Sequence, residues 1–164
     1  VVDYPKDERY SPAWWFKTMG LTFDMDVCDP YAWKKLPGYA VPAKNHLTQR
    51  DGGLRTAWSG LVWMNPPFGG RNDIVPWLEK FVEHGNGVGC CWGRTASGWF
   101  QDFMPQMQRL VFLRNKKQFV YPNGELCGCA KDGVVLFAKG IKGVTSLGEF
   151  SQYGLITNIV ERHP

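Results

Sequence analysis

The chain has little of what marks several common functional classes. No apolar run approaches the roughly 20 residues that a bilayer-spanning helix needs, so no membrane partner is expected. Asp3, Lys6, Asp7, Glu8 and Arg9 interrupt the opening residues, which do not read as a signal peptide. A disulfide framework is lacking: the five cysteines (Cys28, Cys90, Cys91, Cys127, Cys129) are odd in number and show no such spacing, which points to a reduced, cytoplasmic setting. Cys127-x-Cys129 is half of a metal site at best, so no metal is expected, and Cys90-Cys91 reads as buried thiol within an apolar run. No G-x-G-x-x-G follows the first predicted strand and no P-loop is present, against a nicotinamide-binding or P-loop nucleotide-hydrolysing fold. Internal repeats and long low-complexity segments are also missing.

What is present suits one globular unit. With 164 residues and 44% apolar content the chain can bury a sizeable core, read as a loose segment over 1–10 followed by one domain over 11–164. Ser11-Pro12 predicts an N-cap and first helical residue for a short helix over 13–19, closed by Gly20. Leu21 to Val27 alternates as a strand, with Asp24 and Asp26 expected on the face opposite Phe23, Met25 and Val27. Residues 31–50 read as an irregular flap broken by Pro37-Gly38 and Pro42, and His46 shows no obvious partner there. Strands are predicted over 61–64, 88–92, 110–113 and 134–138, with helices over 74–84 and 98–107 between them. The segment after Gly140 reads as late strands or packed coil. Alternating strands and helices imply a three-layer α/β fold around a mostly parallel, twisted sheet.

The richest stretch is Leu61-Val62-Trp63-Met64-Asn65-Pro66-Pro67-Phe68-Gly69-Gly70. An apolar strand ends at Asn65, whose amide both donates and accepts. Pro66 and Pro67 fix successive φ angles and keep Asn65 extended. Such a corner can take the hydrogens of a planar amine on the Asn65 and Pro66 carbonyl oxygens, with the ring on Phe68. An ordinary proline turn with Phe68 capping the core fits the same letters. The position after a strand favours the ligand-binding alternative, because open α/β sheets bind ligands beyond their strand ends. For the same reason Asp26, nearer its strand exit than Asp24, is the better ligand contact. Asp51 can contact a ligand or cap its own turn.

Net charge is +4, and residues 94–117 carry five basic side chains (Arg94, Arg109, Arg114, Lys116, Lys117) against Asp102 alone. That concentration permits a polyanion-facing surface. Eight tryptophans, ten phenylalanines and six tyrosines should mostly build the core, with a few free to stack on bases.

Taken in order, these segments resemble the small phage-type DNA N6-adenine methyltransferases, within the S-adenosylmethionine-dependent amino-methyltransferases. Ser11-Pro12 is similar to the family's Thr-Pro start, and Phe23-Asp24-Met25-Asp26-Val27-Cys28 to its acidic first-strand motif. Asp51-Gly52-Gly53-Leu54 before Trp58 resembles the segment ahead of the catalytic strand, and Asn65-Pro66-Pro67-Phe68 the catalytic tetrapeptide. Trp92-Gly93-Arg94-Thr95, Trp99-Phe100, Phe112-Leu113 and Phe119 extend the likeness to about Lys139. Serine replaces threonine at 11, and phenylalanine the commoner tyrosine at 68. The tetrapeptide alone also occurs in enzymes acting on RNA and on protein glutamine.

The resemblance implies a methyltransferase-like Rossmann fold and methyl transfer from S-adenosylmethionine to the N6 amine of a flipped adenine in DNA. Asn65, Pro66 and Phe68 would be catalytic. Asp26 would hold the methyl donor, with Ser11, Pro12, Asp24, Asp51 and Asn65 as further contacts. Pro67 and Phe68 would face the base, and Arg94, Arg114, Lys116 and Lys117 the phosphates. The setting implied is the cytoplasm of a phage host or other bacterial cell. A catalytically silent nucleic-acid-binding module on the same scaffold is the alternative from outside enzymology, favoured if the donor cleft is filled.

Overall fold

The computed structural model describes residues 9–30, 41–67, 69–115, 118–121, 125–128 and 131–160. Phe68, Lys116, Lys117 and Cys129 lie outside the described residues.

Among the described residues, seven strands form one mixed sheet: β1 (Phe23–Asp29), β2 (Ala43–Thr48), β3 (Val62–Met64), β4 (Gly87–Trp92), β5 (Arg109–Leu113), β6 (Val134–Lys139) and β7 (Gly154–Asn158). Their spatial order is β2-β1-β3-β4-β6-β5-β7. The first four strands of that order run parallel, and the pairings of β6 with β4, of β6 with β5 and of β7 with β5 are antiparallel. The expected parallel sheet is therefore one half of a mixed one. Parallel neighbours place all their carboxyl ends at one edge, so Asp29, Thr48 and Asn65 leave the sheet on the same side.

Helices cover both faces. On one, α1 (Ala13–Met19) and α4 (Ile141–Leu147) set Trp15, Phe16, Met19 and Leu147 against Phe23, Trp63, Val88, Val111 and Leu136. On the other, α2 (Val75–His84) and α3 (Gly98–Phe103) set Leu78, Phe81, Trp99 and Phe100 against Val27, Val62, Met64 and Phe137. The abundant aromatics mostly serve this packing: Phe16 and Trp15 meet Trp63 edge-on at 5.0 and 6.1 Å between centroids. Such offset and edge-on contacts add to the burial of large apolar rings.

Several local expectations are corrected. The β1 alternation breaks because the amides of Asp24 and Met25 both donate to the Leu61 carbonyl, at 2.8 and 3.3 Å. This bulge sends Phe23 to the α1 face and Met25 with Val27 to the α2 face, and it separates Asp24 from Asp26. Residues 43–48, expected in a flap, form the edge strand β2, while 31–40 of that flap lie outside the described residues. Part of the tail expected as strand or coil folds as α4. Helix α1 spans 13–19 as expected, but Pro12 rather than Ser11 is its N-cap, and the Ser11 hydroxyl is used elsewhere. Arg9 and Tyr10, assigned to the loose segment, are fixed, since Tyr10 is buried and exchanges two backbone hydrogen bonds with Val120. Among the described residues no helix is long and apolar enough to cross a membrane.

Candidate functional site

The sheet's chain order reverses at β1, which pairs with β2 on one side and β3 on the other. Crevices beyond the carboxyl ends at such a point are the usual ligand sites of open α/β sheets. A cavity of about 570 Å³ lies here, lined by Ser11, Asp26, Cys28, Asp29, Thr48, Gly53, Leu54, Asn65, Pro66, Pro67 and Trp77 among others. That volume falls in the range of small-molecule sites. Apolar groups from Val41, Leu47, Leu54 and Trp77 share its wall with the carboxylates of Asp26 and Asp29.

Asn65 stands at one end of the cavity, half-buried. Its Nδ2 donates to the Arg9 carbonyl at 3.0 Å and to Ser11 Oγ at 3.3 Å. Its Oδ1 accepts from the Cys90 thiol at 3.2 Å. The contact follows from register: Met64 pairs with Gly89, so the next residues of β3 and β4 also fall side by side. An amide oxygen has two lone pairs, and the thiol uses one. Burial holds the Cys90 thiol well above its ordinary pKa, so it stays a neutral donor.

Asp26 and Asp29, 1% and 3% exposed, approach His46 Nδ1 at 3.6 and 3.3 Å. The pairing Asp26↔His46 between β1 and β2 creates this arrangement. The hydrogen-bonding Asp26 carboxylate raises the His46 pKa above its ordinary value, while burial pushes the Asp26 carboxyl up against the pull of His46. Candidate ligand atoms of Asp26, Asp29 and His46 lie within 4.8 Å of one another, which would also suit a metal ion. The raised His46 pKa favours the imidazolium, and its pairing with the two carboxylates accounts for the cluster without an ion.

No family model, curated protein or solved structure matches this chain. The site therefore rests on its own geometry.

The structure brings together Ser11, Asp26, Asn65, Pro66 and Pro67 around the cavity. Pro66 is buried and Pro67 exposed. Phe68 lies outside the described residues. Other expected contacts sit elsewhere. Pro12 starts α1 and does not line the cavity. Asp24 binds Lys44 Nζ at 2.7 Å and the Leu61 amide at 2.8 Å, which lowers its pKa and commits it away from the cavity. Asp51 caps its own turn through the Thr48 amide and hydroxyl, at 2.7 and 2.8 Å, leaving Gly52 and Gly53 to form the wall. Arg94 pairs with Asp132 at 3.0 Å, and Arg114 is exposed; neither lines the cavity. Lys116 and Lys117 lie outside the described residues.

Sequence reasoning missed Asp29 and Trp77 as cavity residues, and missed the pairing of His46 with Asp26 and Asp29 beside the cavity. Asp29 ends the strand that supplies Asp26, which was the available signal. Trp77 belongs to the apolar stripe of α2, yet it is only partly buried and reaches the cavity. Nothing local distinguishes it from its core neighbours.

Proposed function

We propose that the chain transfers a methyl group from S-adenosylmethionine to the N6 amine of adenine in DNA. The observation that carries this reading is Asn65 at the carboxyl end of β3, facing a cavity shared with Asp26 at the reversal point of the sheet. In this reading the sheet is a methyltransferase-like Rossmann arrangement, with β6 inserted antiparallel between β4 and β5.

The cavity suits the methyl donor chemically, since one part of its wall is acidic and another apolar. Asp26 would receive a hydroxyl or ammonium group, and Leu47, Leu54 and Trp77 would cover the flat heterocycle. Ser11, expected as a donor contact, instead accepts from Asn65 and so orients the amide. When bound, S-adenosylmethionine supplies a methyl carbon made electrophilic by its sulfonium.

The chain's own task is to hold and orient the amine. Adenine N6 is a weak nucleophile because its lone pair is delocalised into the ring. The second lone pair of Asn65 Oδ1 and the Pro66 carbonyl would accept its two hydrogens and favour a tetrahedral nitrogen. Transfer to an amine held this way would form the N–C bond as the donor's C–S bond breaks, with the amine proton passing to water. Preorganised acceptors and orientation are the contributions that this geometry supports. No covalent enzyme intermediate is required, consistent with thiols whose pKa burial has raised.

The open cavity also argues against a silent binding module, for which a filled or collapsed cleft would be expected. Parallel incubation of methyl-labelled S-adenosylmethionine with DNA, RNA and protein tests the proposal. Label on adenine N6 of DNA supports it. Label only on RNA or protein glutamine moves the substrate class, and no label in any arm removes the enzyme reading.

A further inference from the structure

One face of α2 holds the irregular segment that walls the cavity. Trp77, Lys80 and His84 share that face by helical spacing. The Trp77 ring stacks with Trp58 at 6.5 Å between centroids and 22° between planes. His84 Nε2 lies 2.8 Å from the Gly60 carbonyl oxygen. Between them, Lys80 Nζ donates to the carbonyls of Gly53, Leu54 and Thr56, at 3.0, 2.9 and 2.6 Å. An ammonium has three N–H groups, and here each has a carbonyl to meet. The same Nζ sits 4.8 Å from the centre of the Trp58 ring. Trp58 Nε1 adds a second donor to the Gly53 carbonyl at 2.8 Å.

The held segment belongs to no strand or helix, so its course is not fixed by a backbone ladder. Three carbonyl dipoles converging on one point repel one another unless a cation lies there. Lys80 supplies that cation without lining the cavity, while Gly52, Gly53, Leu54 and Arg55 line it. The fit at Gly53 is close: a Cβ there would overlap the Val27 carbonyl oxygen and stand 3.0 Å from the Trp77 ring.

We propose that Lys80 is a positioning residue for the methyl donor, acting through the wall at 52–56 without touching the ligand. The proposal rests on the reading of the cavity as the S-adenosylmethionine site. It assigns Lys80 an effect on donor affinity that is separate from the chemistry at Asn65. An ordinary solvated lysine of α2 would have no such effect.

The experiment compares wild type, Lys80→Met, Lys80→Arg and the surface control Lys17→Met by calorimetric titration with S-adenosylmethionine. Kinetics at varied donor concentration and amide hydrogen exchange complete the set. Losing three charge-assisted hydrogen bonds, partly replaced by water, should weaken donor binding about tenfold in Lys80→Met. KM for the donor should rise in proportion, with kcat at saturating donor little changed. Exchange should accelerate at the Arg55 and Thr56 amides, which both donate to Gly52 in the wall. Lys80→Arg keeps the charge and should recover part of the affinity, while Lys17→Met should match wild type. Unchanged donor affinity in Lys80→Met, or a fall in kcat at constant KM, overturns the assignment. So does slow exchange at Arg55 and Thr56 in Lys80→Met. If Lys80→Met fails to fold, the Lys80→Arg data decide, since a lysine needed only for folding predicts wild-type KM in any folded variant. A wild-type protein that binds no S-adenosylmethionine refutes the cavity reading and this role with it, even where exchange shows that Lys80 holds the segment.

Discussion

The thiol of Cys90 donates to Oδ1 of Asn65 across 3.2 Å, tying the residue after β3 to the middle of β4. With Arg9 and Ser11 accepting from Nδ2, the amide is gripped at both ends in a single orientation. Cys90→Ala removes the donor to Oδ1, whereas Cys90→Ser replaces it with a hydroxyl. We expect Cys90→Ala to lower kcat about tenfold with little change in donor KM, and Cys90→Ser to keep most activity. Steady-state kinetics of the two variants check this; equal activity of Cys90→Ala and wild type would contradict it.

His46 gives a pH dependence with a defined sign. Its folded pKa is raised by Asp26, so protonation is favoured in the native state. The stability it contributes is fully present below its unfolded pKa, about 6.5, and is lost as pH rises through the higher folded value. Asp26, whose folded pKa burial raises, also binds protons more tightly when native, and it adds loss of stability as pH rises above the ordinary carboxylate range. Thermal melts of wild type and His46→Gln should therefore differ most near pH 6 and converge at alkaline pH. A gap that widens with pH would rule out this linkage.

Gly53→Ala tests the wall sterically. With the Val27 carbonyl and the Trp77 ring against any added Cβ, the segment must shift outward. Overpacking of this kind costs about 1–3 kcal/mol. Chemical denaturation should show that loss, and donor affinity should fall as well. An alanine variant with unchanged stability would mean that the wall yields freely.

Phosphate contact is predicted on the Arg114 side of the molecule rather than at Arg94, whose charge Asp132 offsets. Neutralising Arg114 together with Lys116 and Lys117 should weaken DNA binding and reduce its salt dependence. The expected change in log–log slope is about 0.9 per phosphate contact removed. Arg94→Gln should change the slope less. Binding isotherms at several salt concentrations distinguish the two, and an unchanged slope in the triple variant would dismiss this surface.

Much of the architecture was legible because it follows from local chemistry. Gly20 ends α1 in the left-handed conformation, Pro76 occupies the first turn of α2, and the apolar runs at 61–64, 88–92 and 134–138 became the central strands. The Asn65 corner was legible for the same reason, as two prolines after an apolar strand permit few backbone paths. What stayed hidden depends on pairings between distant segments. The partners of His46 come from strand register, and the shared Leu61 carbonyl splits Asp24 from Asp26. Lys80 looks like any helix lysine until the 53–56 segment folds over it. Residues 141–147 (Ile-Lys-Gly-Val-Thr-Ser-Leu) have modest helix propensity, and α4 draws its stability from packing Leu147 and the nearby Phe150 into the α1-side core.

The most direct test of the central claim is the N6-methyladenine content of DNA after incubation with S-adenosylmethionine and either wild type or Asn65→Ala, measured by mass spectrometry beside a melting curve for each protein. N6-methyladenine is expected with wild type and none with an Asn65→Ala protein that remains folded. N6-methyladenine formed equally by Asn65→Ala, or none formed by folded wild type, would contradict that claim.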